Sequence, residues 1–316
     1  MAPAKKDDHP VHNVALLGSY LPRRCGIATF TKDLRDGLAR QIGDPGTRVV
    51  AMDEESASLH YGPDVRFQVR AHQQADYRTA AEMLNINQVD VTIVQHEFGI
   101  YGGPDGILLL AFMRRLRTPI IVTMHTVLKE PSKRQERIVR EMGELADRLV
   151  VMSEKGAQFL EEIYEVPKEK IAFIHHGIHD VPFVDPSYYK DQFALEGRTA
   201  LLTFGLLSPG KGIEIMLSAL PEVVKEHPEV TYVVLGATHP NVLRNEGDTY
   251  RNSLEQFVDR NGLRDHVMFQ NRFVTLDELC GYIGAADLYV TPYMNVAQIT
   301  SGTLAYALGA GKAVVS

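Results

Sequence analysis

Apolar runs of strand length alternate with segments of helical period from residue 13 to the end of the chain. That alternation is the strongest constraint on the fold. A strand followed by a helix and another strand returns in the same direction, so the pattern predicts parallel sheets covered by helices. In the first half the strand signals are NVALLGSY, RVVAMDEE, RFQVRA, VDVTIVQHE, TPIIVTMHT, DRLVVMS and KIAFIHHGI. The helical runs between them are IATFTKDLRDGLARQI, DYRTAAEMLNIN, GILLLAFMRRL, SKRQERIVREMGELA and SEKGAQFLEEIY, the last capped by Ser153. The stretch HDVPFVDPSYYKDQFALEG has no clear period and reads as a linker. A second series then runs from RTALLTFGLL to DLYVTP and ends in a hydroxyl-rich loop, an Ala/Leu/Tyr helix and the apolar residues Ala313 to Val315.

A chain of 316 residues fits two domains. We expect α/β architecture: a lead-in over 1–12, a doubly wound domain over 13–180, a linker over 181–197 and a second doubly wound domain over 198–316. The last strand stops at Ser316, so the second domain is expected to be incomplete and the chain a fragment with exposed apolar surface and poor solubility. No apolar run reaches the ~20 residues of a membrane helix, and the polar start MAPAKKDDHP lacks the apolar core of a signal peptide. Two cysteines, Cys25 and Cys280, read as reduced thiols of a cytoplasmic protein. A net charge of −7 argues against nucleic acid as a partner.

In open α/β sheets ligands bind beyond the carboxyl ends of the strands, so the loops that follow strands carry the candidates. After the first strand, Gly26 precedes a helix whose start offers N–H donors, and Arg23 and Arg24 add positive charge. This loop is neither a Walker loop nor a GxGxxG fingerprint. Gln95, His96 and Glu97 follow another strand, a combination suited to binding a hydroxyl-rich ligand or to acid–base work. His125 ends the next strand, and with no HExxH or Cys/His spacing a metal is not expected. The charged run Lys129 to Arg140 reads as a solvated helix face. In the second series, Ser208, Pro209, Gly210 and Lys211 form a turn opening a helix at Gly212, and Lys211 can reach a phosphate. His239 and the polar insertion NVLRNEGD follow a later strand without an evident role. Near the end, the loop Gln298 to Thr303 opens a helix, where main-chain N–H groups and the helix dipole favour an anion.

The ordered series is Gly-Ile-Ala-x-x-Thr after strand one, a strand ending in His, Ser-Glu opening a helix, His-Gly-Ile before the linker, Gly-x-x-x-Pro-x-Lys-Gly opening domain two, and Ala-Asp-Leu-Tyr-Val-x-Pro near the end. It resembles the retaining glycosyltransferases of family 4 from about residue 13 onward. The resemblance implies two tandem Rossmann-like domains of the GT-B kind, with an acceptor domain first and a nucleotide-sugar donor domain second. It implies transfer of a hexose from a nucleotide-diphosphate sugar to a hydroxyl acceptor, a glycan or lipid-linked group, with retained configuration. No cofactor or metal is implied: no Asp-x-Asp triad is evident, and the donor sugar is a substrate. A peripheral membrane contact stays open as a further partner.

By the same resemblance Gly26 approaches the donor diphosphate and His125 faces the transferred sugar. The family's Arg and Lys at the diphosphate fall on Leu206 and Lys211, so only the lysine is kept. Its paired glutamates fall on Gln298 and Tyr306, neither of them acidic. The implied site is then His125, Lys211 and Gln298 for catalysis; Gly26, Ser208, Ser301, Gly302, Thr303 and Tyr306 for the donor; and Arg23, Arg24, His96 and Glu97 for the acceptor. A departing phosphate oxygen, His96 or Glu97 could take the acceptor proton. The missing glutamates motivate a second reading, a non-catalytic nucleotide-sugar binding module. An epimerase would want site carboxylates that the last loop lacks, and a pyridoxal-dependent phosphorylase would need a lysine such as Lys211 or Lys312 in a context neither has.

Overall fold

The computed structural model describes residues 10–53, 59–181, 184–294 and 300–316. Gln298 lies outside them. The chain divides into two compact units between His175 and His176, ahead of the boundary expected at 180.

The first unit carries β1 (Val14–Gly18), α1 (Gly26–Ile42), β2 (Thr47–Asp53), β3 (Val65–Arg70), α2 (Gln74–Ile86) and β4 (Val91–His96). It continues with α3 (Leu109–Met113), β5 (Ile120–Met124), α4 (Lys133–Leu145), β6 (Arg148–Val151), α5 (Glu154–Glu162) and β7 (Ile171–Phe173). Its strands lie in the order β3-β2-β1-β4-β5-β6-β7, all parallel. Every residue of β1 is buried, as expected of a strand covered on both faces. Ser153 caps α5, its Oγ accepting from the Gly156 N–H at 3.0 Å. Ser132 and Gln135 form a capping box at the start of α4. The solvated face of α4 is laced with ion pairs, Arg140 with Glu136 and Glu165 and Arg114 with Glu141.

The second unit carries α6 (Ser187–Lys190), β8 (Thr199–Phe204), α7 (Ile213–Glu226), β9 (Val230–Leu235), α8 (Pro240–Glu246) and α9 (Thr249–Arg260). Then follow β10 (Val267–Gln270), α10 (Leu276–Ala285), β11 (Leu288–Val290), α11 (Gly302–Gly309) and β12 (Ala313–Val315). The strand order is β10-β9-β8-β11-β12, again all parallel. One apolar cluster under this sheet joins Leu202, Phe204, Tyr289 and Ala307, and another joins Leu217, Leu220, Tyr232 and Leu254.

Four local expectations need correction. The run 106–116 gives only the short α3, because Gly103 and Gly106, both at positive φ, hold a turn ahead of it. The strand at 170–178 ends at Phe173, leaving His175 to Ile178 outside the sheet and without regular secondary structure. The polar insertion after β9 folds as α8. The aperiodic stretch before β8 is partly helical and packed. Phe193 stacks on Tyr282 with ring centroids 3.9 Å apart, Leu195 is 1% exposed, and Lys190 Nζ meets Asp287 at 2.8 Å. The pattern there is hidden because a short segment packed through aromatic rings has no repeat to reveal it.

In each sheet the strand order reverses at one place, between β1 and β4 and between β8 and β11. Crevices form outside the carboxyl ends of strands at such points. The segments that end there are 19–25 and 97–103 in the first unit, and 205–212, 291–294 and 300–301 in the second.

Candidate functional site

In the first unit the loop after β1 turns through Arg23, whose N–H donates to the Tyr20 carbonyl at 3.0 Å. Arg24 is exposed and Arg23 half-buried. Cys25 caps α1, its Sγ accepting from the Ala28 N–H at 3.4 Å. A Cβ placed on Gly26 would meet nothing within 4 Å, so the first residue of α1 stands in open space. Its main chain is accessible to a ligand.

The polar triplet that ends β4, with Gln95 and His96 on the strand and Glu97 just past it, separates by strand alternation. Gln95 is fully buried, and its Oε1 lies 2.9 Å from His125 Nε2. Phe30 of α1 meets the His125 ring edge-on at 4.8 Å. His96 is 1% exposed and stacked near Tyr101 with centroids 6.3 Å apart. Burial, and then the nearby His125, push its pKa down to about 3. It is a neutral, enclosed ring rather than one open to an acceptor, which corrects the expectation that it touches substrate or takes a proton from it. Glu97 accepts from the Phe98 N–H at 3.0 Å and from the Thr126 hydroxyl. Burial raises its pKa, against the pull of the Thr126 and main-chain hydrogen bonds.

In the second unit Ser208 starts a turn whose Lys211 N–H donates to the Ser208 carbonyl at 2.9 Å. Gly212 follows at φ 63°, and a Cβ there would overlap the Pro292 carbonyl oxygen. Only glycine brings this turn so close to the end of β11. Lys211 Nζ donates to the Tyr293 hydroxyl at 2.9 Å and stands 4.1 Å from the centre of its ring. Among the described residues no carboxylate pairs with this ammonium. The Tyr293 hydroxyl lies 2.7 Å from Thr303 Oγ1, which also accepts from Tyr289 at 2.7 Å and sits 3.1 Å from Ser301 Oγ. Burial pushes the Tyr293 pKa up, but the Lys211 charge and its hydrogen bond outweigh this and hold the phenol below its ordinary value.

Ser301 caps α11, its Oγ accepting from the Leu304 N–H at 3.3 Å. The first-turn N–H groups of Gly302 and Thr303 have no acceptor among the described residues. His176 stands beside them, its Nε2 3.0 Å from where a Gly302 Cβ would be. Tyr306 is held by His179, whose Nδ1 lies 2.9 Å from the phenol oxygen. His239 donates its N–H to the Leu207 carbonyl at 2.8 Å, next to the Ser208 turn.

The structure therefore joins Lys211 to the Ser301–Thr303 helix start through one phenol oxygen. It adds Tyr293 and His179, neither of which was singled out from sequence, and His176, which the sequence offered only within His-Gly-Ile and without a site role. Only the position of Tyr293 directly after a strand could have flagged it. The cluster can receive an anion: a cation, two main-chain donors and a positive helix end converge, uncompensated by acid. Among the described residues no three His, Cys, Asp or Glu converge as a metal site, and no helix is long and apolar enough to cross a membrane.

Residues 25–180 match the model of Glycosyltransferase Family 4, and residues 198–316 match that of Glycosyl transferases group 1. The chain is 25% identical to an alpha-monoglucosyldiacylglycerol synthase of Streptococcus pneumoniae, over 86% of this chain and 64% of that protein. It is 27% identical to a D-inositol 3-phosphate glycosyltransferase of Streptomyces avermitilis, over 58% of this chain and 42% of that protein. The chain thus spans less than two thirds of the length of either relative. Among solved structures, Anabaena Alr3699/HepE in complex with UDP and glucose superposes with a TM-score of 0.67 at 18% identity, covering 96% of this chain and 80% of that one. A glycosyltransferase of Rickettsia africae gives 0.66 at 14% identity, covering 96% and 78%. These likenesses carry the fold: two Rossmann-like units of the GT-B kind.

Proposed function

Because the chain is a glycosyltransferase whose first domain matches Glycosyltransferase Family 4 and whose second matches Glycosyl transferases group 1, we propose that it transfers a hexose, with retained configuration, from a nucleoside-diphosphate sugar to a hydroxyl acceptor. The observation that carries this reading is the uncompensated Lys211 ammonium held beside the start of α11. As the glycosidic bond breaks, negative charge grows on the departing diphosphate. Donors fixed in advance at that place stabilise the transition state more than the ground state. Lys211 and the Gly302 and Thr303 amides fill this role without a metal, and Ser208 lines the same turn. In the first unit, Gly26 offers its main chain to the diphosphate and His125 faces the transferred sugar. Arg23, Arg24 and Glu97 remain the acceptor-side candidates, with Glu97 or a departing phosphate oxygen taking the acceptor proton. Gln298 is proposed on sequence alone. The names of the relatives, one acting in glucosyldiacylglycerol synthesis and one on an inositol phosphate, support a lipid-linked or polyol acceptor, and with it a peripheral membrane contact.

The test is incubation of the protein with a panel of nucleoside-diphosphate sugars and with diacylglycerol, inositol phosphate or glycan acceptors. Release of nucleoside diphosphate and the anomeric configuration of the product are then followed. Acceptor-dependent release with retained configuration supports the proposal, and absence of both binding and release refutes it. One observation favours a second reading. Leu206 stands where a cation would serve the diphosphate, and Tyr306 is tied to His179. Tight binding of a donor with no turnover would make the protein a nucleotide-sugar binding module.

A further inference from the structure

Gln95 lies on β4 with its side chain wholly enclosed, and its Nε2 has no partner among the described residues. A buried amide with an unpaired donor is destabilising. An apolar side chain of the same length would avoid that loss, so stability does not account for a glutamine here. Space for it is made by the neighbouring strand. A Cβ on Gly18 would lie 2.9 Å from the Gln95 Cβ and 3.5 Å from Thr31 Oγ1. Gly18 is absent from the positive-φ positions, so what it supplies is room. The amide uses that room to place Oε1 2.9 Å from His125 Nε2. Phe30 meets the ring at an interplanar angle of 89°, and the His125 main-chain N–H donates to the His96 carbonyl at 3.0 Å, which anchors the backbone beside it.

We propose that Gln95 is a positioning residue for His125: its Oε1 accepts the Nε2 hydrogen of the neutral ring, fixing the ring plane and leaving Nδ1 as the basic nitrogen. A neutral imidazole carries one N–H, and a fixed acceptor at Nε2 selects the tautomer that bears it there. The catalytic consequence rests on the reading of His125 as the group that faces the transferred sugar. The tautomer itself does not. Of the triplet at the end of β4, the residue with a reach toward that site is thus Gln95. His96 is turned to the Tyr101 side of the sheet.

The experiment is nitrogen-15 NMR on the whole chain labelled at histidine, with His125→Asn to assign the His125 signals, at a pH where the ring is neutral. The native protein should show a single Nε2–H tautomer. Gln95→Leu should lose that preference, and Gln95→Glu, which keeps an acceptor oxygen in place, should retain it. If Gln95→Leu does not fold, Gly18→Ala replaces it: the added methyl pushes the Gln95 stem aside and should also release the tautomer. With a donor that turns over, Gln95→Leu should lower kcat about tenfold while KM changes by less than about twofold. An Nδ1–H tautomer in the native protein, or an unchanged tautomer in a folded Gln95→Leu or Gly18→Ala, overturns the proposal. The spectra need no substrate, so failure of the transferase reading leaves this result standing, and an unchanged tautomer in an active enzyme removes Gln95 alone.

Discussion

Around His125 the polar groups are neutral and enclosed, with Gln95 and His96 at 0% and 1% exposure. Around Lys211 a cation stays half-buried and is met by a phenol instead of a carboxylate. The first cluster fixes orientation, since uncharged groups in a low-dielectric setting hold one another by directional hydrogen bonds. The second keeps positive potential in hand, because a carboxylate there would cancel the charge an arriving anion needs. The same α/β framework thus builds an enclosed set of neutral side chains in one unit and a cation without a carboxylate partner among the described residues in the other. Both lie at the carboxyl ends of parallel strands, so the contrast comes from side chains and not from topology.

The comparison can be broken at its most enclosed point. The folded-state pKa of His96, about 3, lies below its ordinary 6.5. The unfolded chain therefore takes up a proton as the pH falls below 6.5, and the folded chain does not until about 3. Stability present above 6.5 should fall away across that window, by on the order of 3–5 kcal/mol for this group. Urea melts of native protein and His96→Leu between pH 7 and 4 should diverge, the variant losing less on acidification. Parallel curves would mean that the first cluster is open to water.

On the other side, Gly212→Ala should cost about 3 kcal/mol in denaturant melts, because the left-handed turn and the Pro292 carbonyl both exclude a Cβ. Lys211→Met should leave the melting temperature within about 2 °C. It should still weaken calorimetric binding of a nucleoside diphosphate by about 10- to 100-fold. Equal affinity in both proteins would deny the second cluster its charge role. Tyr293→Phe sharpens the contrast with the smallest change. It keeps the ring under Lys211 and removes one oxygen, and binding should weaken about three- to tenfold in the same assay.

Much of the framework was legible because parallel strands covered on both faces print as apolar runs, as in LLTF of β8 and VTYVVL of β9. His125, Lys211 and Ser301 to Thr303 stand out in the sequence as candidates because each follows a strand or opens a helix. Burial within the Gln95–His96–Glu97 triplet was not. When both faces of a strand are covered, alternation says that neighbours point apart but not which side is deeper. Contact between loops was not legible either. Lys211 and Tyr293 stand 82 positions apart, and no local pattern records that β8 and β11 are neighbours. The short packed segment at 187–195 escaped for want of a repeat.

Gly302 and Gly309 each face the segment that begins at His176, the first against the His176 ring and the second against the Ile178 side chain. Seven residues are close to two turns of helix, so both bare positions lie along one line. An insertion of a single residue between them would swing the second about 100° off that line and put a side chain where none fits. The length of α11 is therefore locked to its neighbour, and attempts to retune ligand preference by lengthening this helix should stall, whereas substitutions on its other faces leave the lock intact.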